Sequence, residues 1–172
     1  EYIPKGFGWI PNLDKLVGPT GRFEPGGDAR TILLDVNSTD NILKVGPLVC
    51  YEDIFPDLAR ETTNQGADFL FVSTNNAWFG EEGCAEQHAA HSVLRAIENR
   101  RPVLRSGNAG WSGWIDEQGV RRSVMRDQNG SVYFEGAATF SISRDSSRIY
   151  NKTFFSRQGD WFLYVCLPLC GF

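Results

Sequence analysis

The chain has 172 residues, which is enough for one hydrophobic core and too few for two of ordinary size. Hydrophobic residues make up 41% of the sequence and charged residues 22%, values that exclude a disordered or collagen-like chain. The formal net charge is −4 and no run of Lys or Arg is present, so the composition also excludes the basic surface of a nucleic-acid-binding protein.

A strand–helix–strand unit is predicted after a loop-rich start. Residues 1–44 are rich in Gly, Pro, Asn and Asp, which favours loops. Residues 45–50 then predict a buried strand, and Asp53 and Pro56 suit the N-cap and the first turn of a following helix. Residues 69–73 are almost wholly apolar and predict a second buried strand. Because the order is strand, helix, strand, the two strands are expected to be parallel and buried on both faces.

The α/β pattern continues along the rest of the chain. A long helix is predicted over residues 85–101, where Pro102 ends it. Its predicted buried stripe consists of apolar residues spaced for one helix face: Ala89, Ala90, Val93, Leu94 and Ile97. Residues 103–106 predict a third strand, residues 114–122 a β-hairpin and residues 132–142 a final strand. Strands mixed with helices in this order predict a layered α/β fold.

Cys50 is the strongest candidate for a chemical role. It ends a predicted buried strand just before a helix, and α/β folds bind ligands outside the carboxyl ends of their strands. A nearby helix N-terminus also favours the reactive thiolate. The carboxylates of Glu52 and Glu1 are candidates to position or deprotonate a group near the sulfur. The competing interpretation is a small buried hydrophobe, which is the more frequent role of a single cysteine at a strand end.

An ordered series of motifs surrounds Cys50 and continues beyond it. The motifs lie at residues 49–52, 73–80, 86–88 and 95–106, and at Asn108 with Gly110. In this order, and above all with the Asn-Ala-Trp-Phe-Gly loop at residues 76–80, they resemble the nitrilase superfamily and, within it, the apolipoprotein N-acyltransferase branch. The resemblance is close over residues 45–115 and looser elsewhere.

The resemblance implies a fold and a division of the chain. The fold is an α/β nitrilase-like αββα sandwich, of which this chain supplies the C-terminal portion. Residues 1–160 are assigned to a partial catalytic domain. Residues 161–172 carry no charge and are assigned to the start of a C-terminal transmembrane segment, with a buried strand as the alternative. The branch uses a Glu-Lys-Cys constellation, whose cysteine matches Cys50 and whose other members are expected upstream of Glu1. We therefore expect the 172-residue chain alone to be inactive.

The resemblance also implies roles for other residues. The positions matched to catalytic support are Tyr51, Glu52 and Glu1. The positions matched to substrate binding, on a loop near the lipid entrance, are Asn76, Trp78 and Phe79. Glu98 lies next to the predicted apolar stripe and matches a position of the branch. Two interpretations of it stay open: support of the Cys50 site and a simple surface position. No cofactor is implied, and no metal site is predicted, because His88 and His91 lie three residues apart with no third ligand motif.

The activity that the resemblance implies is acyl transfer in two steps. The Cys50 thiolate attacks an acyl ester of a phospholipid and forms a thioester and a lysophospholipid. The free α-amine of a diacylglyceryl-cysteine at the N-terminus of an apolipoprotein then attacks the thioester and becomes an amide. The implied partners are a phospholipid acyl donor, a diacylglyceryl-apolipoprotein acceptor and the membrane, with no nucleic acid. The implied location is the bacterial cytoplasmic (inner) membrane, with the catalytic domain on the periplasmic side.

Two other functions would use the same residues differently. A soluble amidase or carbamoylase of the nitrilase superfamily would use Cys50 on a small C–N substrate. The aromatic residues Trp78 and Phe79 and the apolar segment at 161–172 disfavour it. A non-catalytic binding module would keep the fold without the chemistry, and the intact Cys-Tyr-Glu motif at 50–52 disfavours it.

Overall fold

The computed structural model describes residues 27–35, 42–81, 83–143, 145, 147 and 150–170. Within these residues six strands form one sheet, in chain order: Ile32–Asp35 (β1), Ile42–Val49 (β2), Phe69–Asn75 (β3), Val103–Asn108 (β4), Gly113–Ile115 (β5) and Arg121–Val124 (β6). Strands β2, β3 and β4 are parallel, and antiparallel strands flank them on both sides. The strand–helix–strand unit predicted from the sequence is confirmed, and so is the α/β fold class.

Helices and short 3-10 turns connect or follow the strands. The helices are Pro56–Asn64 (α1), Cys84–Asn99 (α2), Phe154–Gln158 (α3) and Trp161–Leu169 (α4), and the 3-10 turns are Cys50–Ile54 and Ala77–Phe79. Pro56 is the first residue of α1, as predicted. The prediction that Asp53 is the N-cap of α1 is wrong, because Phe55 occupies that position. Asp53 is buried within the 3-10 turn, where its carboxylate binds side chains of other elements instead of the helix end.

The core lies between one face of the sheet and the helices α1 and α2. Its sheet side chains include Leu48, Leu70, Val72 and Val103, and its helix side chains include Ala59, Ala89 and Ala96. Small helix residues let the helices approach the strands closely. Gly46 shows how close this packing is, because a Cβ atom there would lie 2.7 Å from both Leu70 Cδ2 and Thr62 Oγ1. The packing therefore fixes β2 and β3. The carboxyl end of β2 leads into the 3-10 turn Cys50–Ile54, the Cys50 turn, and that of β3 leads into residues 76–80, the aromatic loop.

Helix α2 buries only part of the predicted stripe: Ala89 is buried and Val93 packs against the core, whereas the rest of the buried face is different. Leu94 and Ile97 of the predicted stripe are 49% and 48% exposed. The buried residues of the helix alternate between small and polar types: Ala85, His88, Ala89, Ser92, Arg95, Ala96 and Asn99. The prediction was wrong because the elements that face α2 carry the buried charges of Asp53 and Arg105. Buried charges need polar partners, so the polar residues of the helix turn inward.

The predicted hairpin is confirmed by the antiparallel pair of β5 and β6. In its turn, the Asp116 carboxylate accepts the backbone N–H groups of Gln118 and Val120, each at 2.9 Å. The Arg122 guanidinium donates to the same carboxylate at 2.6 Å. Burial raises the pKa of Asp116, but these bonds and the Arg122 charge outweigh it and hold the pKa below its usual value. The turn is therefore fixed by an ionised aspartate at neutral pH.

Residues 132–142, predicted as a final strand, form no strand in the structure. Val132 packs into the core, and later residues of the segment line a cavity together with Phe71 and Leu104 of the sheet. The prediction was wrong because the segment passes over a face of the sheet instead of along an edge. Backbone groups pair with a sheet only along its edges.

Helix α4 carries apolar side chains that are mostly exposed, among them Phe162, Leu163 and Tyr164. The sequence left a membrane helix and a buried strand as alternatives for this segment. The buried strand is wrong, because residues 161–169 form a helix. Among the residues that the structure describes, no helix combines the length and the apolar character needed to cross a bilayer. The division of the chain into residues 1–160 and 161–172 stays a prediction.

Candidate active site

Cys50 lies at the carboxyl end of β2, in a backbone conformation that side chains rarely adopt. Its φ of +53° is in the left-handed region, which costs a residue with a Cβ atom about 1–2 kcal/mol. Thr74, next in the sheet at the end of β3, places its hydroxyl 3.5 Å from the Cys50 sulfur. The Glu52 carboxylate accepts the backbone N–H of Val49 at 2.7 Å, which closes the turn across Cys50. The thiol is therefore held by contacts on both sides of a strained turn.

A buried cluster of charges lies on the inner side of this turn. Asp53 is 0% exposed, and its Oδ1 atom lies 2.8 Å from His88 Nε2. Its Oδ2 atom accepts from Ser92 Oγ at 2.7 Å and from Arg105 Nη1 at 2.6 Å. Arg105 Nη1 also donates to Ser92 Oγ at 2.8 Å. We call Asp53, His88, Ser92 and Arg105 the Asp53 network; it joins the Cys50 turn to α2 and β4.

The charges of this network hold one another in their ionised forms. Burial raises the pKa of Asp53, but the His88 hydrogen bond, the Arg105 charge and the Ser92 hydrogen bond outweigh it, so the pKa lies below its usual value. Burial lowers the pKa of Arg105, the Asp53 carboxylate opposes that effect, and the net shift is downward.

His88 links the Asp53 network to the aromatic loop after β3. Its Nδ1 atom lies 3.1 Å from the amide nitrogen of Asn76. The ionised Asp53 carboxylate only accepts, so Nε2–H is the donor to Asp53. The Tyr51 ring stacks on the His88 ring, with centroids 4.8 Å apart and planes at 21°. The Phe79 ring meets Tyr51 edge-on, with centroids 5.9 Å apart.

The aromatic loop exposes apolar surface beside the Cys50 turn. Trp78 is 79% exposed and Phe79 is 44% exposed. The base of the loop is rigid, because Asn75 Oδ1 accepts from the backbone N–H of Ala77 at 3.1 Å and from the Asn108 side chain at 3.0 Å. A rigid base under exposed aromatic rings suits contact with an apolar ligand or a lipid surface.

Glu98 reaches the Cys50 turn through Arg95. The Arg95 guanidinium donates to the backbone carbonyls of Ile54 at 2.9 Å and Asp53 at 3.3 Å. The Glu98 carboxylate accepts from the same guanidinium at 2.9 Å. Burial raises the pKa of Glu98, the Arg95 charge and hydrogen bond lower it, Asp160 raises it, and the net shift is upward. Glu98 therefore touches the turn only by way of Arg95 among the contacts described.

Similarity to known proteins identifies the family of this arrangement. The sequence model of the carbon-nitrogen hydrolase family matches residues 12–141. The chain belongs to the carbon-nitrogen hydrolase family. A Geobacter metallireducens protein named apolipoprotein N-acyltransferase is 34% identical over 167 residues, which are 97% of this chain and 29% of that protein. A Shewanella oneidensis protein of the same name is 42% identical over 129 residues, 74% of this chain and 22% of that protein.

The chain spans less than a third of the length of these two relatives. A solved carbon-nitrogen hydrolase from Helicobacter pylori G27 is similar with a TM-score of 0.49 and 20% identity, over 60% of this chain and 41% of that one. Membership of the carbon-nitrogen hydrolase family confirms the nitrilase-like fold predicted from the sequence motifs. The described residues form one mixed sheet of that fold, with α1 and α2 packed on one face.

The structure brings most of the predicted site residues of this carbon-nitrogen hydrolase together. Cys50, Tyr51 and Glu52 form the turn itself, and Phe79 contacts Tyr51. Trp78 neighbours Phe79 on the aromatic loop and is largely exposed. Asn76 is buried behind these rings and bonds His88. Glu1 lies outside the described residues. The catalytic and substrate-binding roles of all these residues stay predictions.

Sequence reasoning missed the Asp53 network. Its members are spread over three elements, and His88 was treated only as a weak metal candidate. Among the described residues, no group of three or more potential ligands surrounds a common point for a metal ion. Two signals in the sequence point to the network: Arg105 directly follows the apolar residues Val103 and Leu104 in a predicted strand, and His88, Ser92 and Arg95 repeat at helical spacing.

Proposed function

We propose that the complete protein is an apolipoprotein N-acyltransferase that carries the fatty acyl group on Cys50. The observation that carries the proposal is the position of Cys50 in a left-handed turn at the carboxyl end of the parallel strands, directly linked through Tyr51 to an exposed aromatic loop. The names of the relatives in Geobacter metallireducens and Shewanella oneidensis support the same activity.

The first half-reaction loads the enzyme with an acyl group. A general base removes the thiol proton, and the Cys50 sulfur attacks the carbonyl carbon of a phospholipid ester. A C–S bond forms, the ester C–O bond breaks, and the leaving alkoxide takes the proton, which gives a lysophospholipid. The resemblance assigns the base to an upstream glutamate and the stabilisation of the oxyanion to an upstream lysine. Within this chain, Glu52 keeps the turn closed and Thr74 fixes the sulfur.

The second half-reaction delivers the acyl group to the lipoprotein. The α-amine of the N-terminal diacylglyceryl-cysteine attacks the thioester carbonyl, a C–N bond forms and the C–S bond breaks. The amine gives up one proton to the base, and the Cys50 thiolate is regenerated. The product is an amide, which is more stable than the thioester, so the second step drives the sequence forward.

Both substrates are lipids, and the exposed apolar surface of the chain suits them. Trp78, Phe79 and Phe55 are exposed around the Cys50 turn, and the side chains of α4 are exposed along its length. We place Trp78 and Phe79 at the lipid entrance, with Asn76 buried behind them as support for the loop, and residues 161–172 at the start of a membrane segment. From the resemblance to the N-acyltransferase branch, we infer that the catalytic domain lies at the periplasmic face of the bacterial cytoplasmic membrane.

Detection of the acyl-enzyme, with the fatty acyl group attached to Cys50, tests this function. The complete protein in detergent is incubated with phosphatidylethanolamine, and its intact mass is recorded. We expect an added fatty-acyl mass that hydroxylamine removes, together with release of lysophosphatidylethanolamine. The Cys50→Ala protein is the control and gains no mass. Absence of the adduct, together with ammonia release from small amides, would replace the proposal with the amidase alternative.

Glu52 has two candidate roles that substitution separates. Because its carboxylate accepts the Val49 N–H, a Glu52→Gln protein keeps an acceptor of the same length, whereas Glu52→Ala loses it. If closing the turn is its role, we expect Glu52→Ala to lower the transfer rate by about 10- to 100-fold and Glu52→Gln to retain most of it. If Glu52 instead transfers a proton in the reaction, we expect the transfer rates of both variants to fall by the same factor. Initial rates of peptide acylation measured for the two variants decide between the roles.

A further inference from the structure

The left-handed backbone of Cys50 needs restraint from its surroundings. A single residue in that conformation relaxes unless neighbouring contacts over-determine it. The outer side of the turn is exposed, as Glu52 is. Within the 3-10 turn Cys50–Ile54, Asp53 is the buried residue, so the inward restraint passes through Asp53.

We propose that the Asp53 network is the positioning device of the nucleophile, with His88 as the residue that couples the Cys50 turn to the aromatic loop. This inference rests on the proposed role of Cys50 as the acyl-carrying residue. Asp53, His88, Ser92 and Arg105 are positioning residues, because they act through the turn and contact neither substrate. Neither the family resemblance nor the motif around Cys50 assigns them that role.

Directionality is the first argument for positioning. Both oxygens of Asp53 are engaged, one by His88 and the other by Ser92 and Arg105. Each bond fixes a direction as well as a distance, whereas apolar contacts would let the turn rotate. The three partners come from two different elements, α2 and β4, so the carboxylate and the turn that carries it have a single orientation.

The energetic cost of the network is the second argument. Arg105 Nε and Nη2 are buried and have no hydrogen-bond partner within the described residues. Unpaired buried donors destabilise a protein, and an apolar core of the same volume is often as stable as a buried ion pair. The contribution of Arg105 to the stability of the fold therefore does not explain why a partly bonded guanidinium is buried here. Arg105 is bonded to Asp53, which lies in the same turn as Cys50, so a role in fixing that turn explains the guanidinium better.

The stacked rings are the third argument. Tyr51 follows Cys50 directly and lies between the His88 and Phe79 rings. His88 also bonds Asn76, the first residue of the aromatic loop. One imidazole therefore fixes both the turn that carries the thiol and the loop proposed to admit lipid. A change at His88 is expected to alter both together.

Two substitutions at His88 separate its hydrogen bonds from its ring. His88→Phe keeps a ring against Tyr51 and removes the bonds to Asp53 and Asn76, whereas His88→Gln loses the ring and keeps a donor near the Nε2 position. The complete protein in detergent is treated with iodoacetamide, and the alkylation rate of Cys50 is followed by peptide mass spectrometry. We expect His88→Phe to lower the alkylation rate and kcat by about 10- to 100-fold, with KM for phospholipid little changed. We expect His88→Gln to keep both rates close to those of the wild-type protein.

Ile115→Ala serves as the stability control, because Ile115 is buried in the core and is not a member of the network. It should lower the melting temperature as much as His88→Phe does while leaving Cys50 alkylation unchanged. Ser92→Ala, which removes one bond to Asp53, is the milder variant and should slow alkylation by about threefold even if His88→Phe fails to fold. Equal alkylation rates in Ile115→Ala, Ser92→Ala and the His88 variants would overturn the proposal. Because alkylation needs no lipid, it reports on positioning even if no acyl-enzyme forms.

Discussion

Replacing Cys50 with alanine in the complete protein is expected to abolish acyl transfer, with a fall in rate of about 10⁴-fold or more. The reason is that the reaction passes through a covalent thioester, and no other group described near the turn can take the place of the sulfur. The measurement is transfer from phosphatidylethanolamine to a peptide with an N-terminal diacylglyceryl-cysteine, followed by mass spectrometry. The backbone strain at φ +53° remains in the alanine protein, so its stability should change little.

Two further variants identify the cause of that loss. Cys84→Ala removes a second half-buried thiol, whose sulfur lies 4.0 Å from the side-chain nitrogen of Asn76, and it should keep its activity. Cys50→Ser keeps the size of the side chain and the Thr74 contact but offers a poorer nucleophile, so it should be nearly as inactive as the alanine protein. Full activity in Cys50→Ala, or a loss of the same size in Cys84→Ala, would contradict the assignment of the nucleophile.

The central strands were predictable because their signals are local. Residues 45–50 and 69–73 are continuous apolar runs of strand length, and a Pro-initiated helix lies between them. The chain order alone then requires parallel pairing, which places Cys50 at the carboxyl edge of the sheet. The position of Cys50 at this edge could therefore be predicted from the sequence. Its role as the nucleophile stays a prediction, which the motif at residues 49–52 supports.

The buried face of α2 was not predictable by the same reasoning. The sequence of the helix offers an apolar stripe through Leu94 and Ile97 and a polar one through His88, Ser92 and Arg95, and hydrophobicity selects the wrong stripe. The choice depends on what lies opposite the helix, and Asp53 and Arg105 come from other parts of the chain. Periodicity describes one element at a time, so it contains no information on such long-range pairs.

The same limit explains residues 132–142 and Glu98. Val132 and its neighbours have the composition of a strand, but pairing requires a free sheet edge, and the segment lies against a face. Glu98 contacts the Cys50 turn through Arg95, three residues earlier on α2, and the sequence spacing alone permits that contact without requiring it. Both outcomes depend on tertiary packing, which local composition does not specify.

Replacing Asp53 with leucine is expected to destabilise the protein by about 3–5 kcal/mol. The substitution leaves the Arg105 guanidinium, whose side chain is 0% exposed, without its counter-charge and without its strongest hydrogen bond. The loss is expected to appear as faster hydrogen exchange of the α2 amides, by about 100-fold or more, since α2 carries His88 and Ser92. Exchange measured by mass spectrometry on the complete protein in detergent tests this. Exchange at the wild-type rate would contradict it.

Combining Asp53→Leu with Arg105→Met separates stability from positioning. The double variant removes both charges and fills the space with apolar atoms, so roughly half or more of the lost stability should return, although His88 and Ser92 lose their acceptor. The Cys50 alkylation rate should stay low, because apolar packing supplies no direction to the turn. Recovery of both stability and alkylation would mean that the network serves the fold alone. Recovery of stability without recovery of alkylation means that a buried ion pair is kept for the orientation it gives to Cys50.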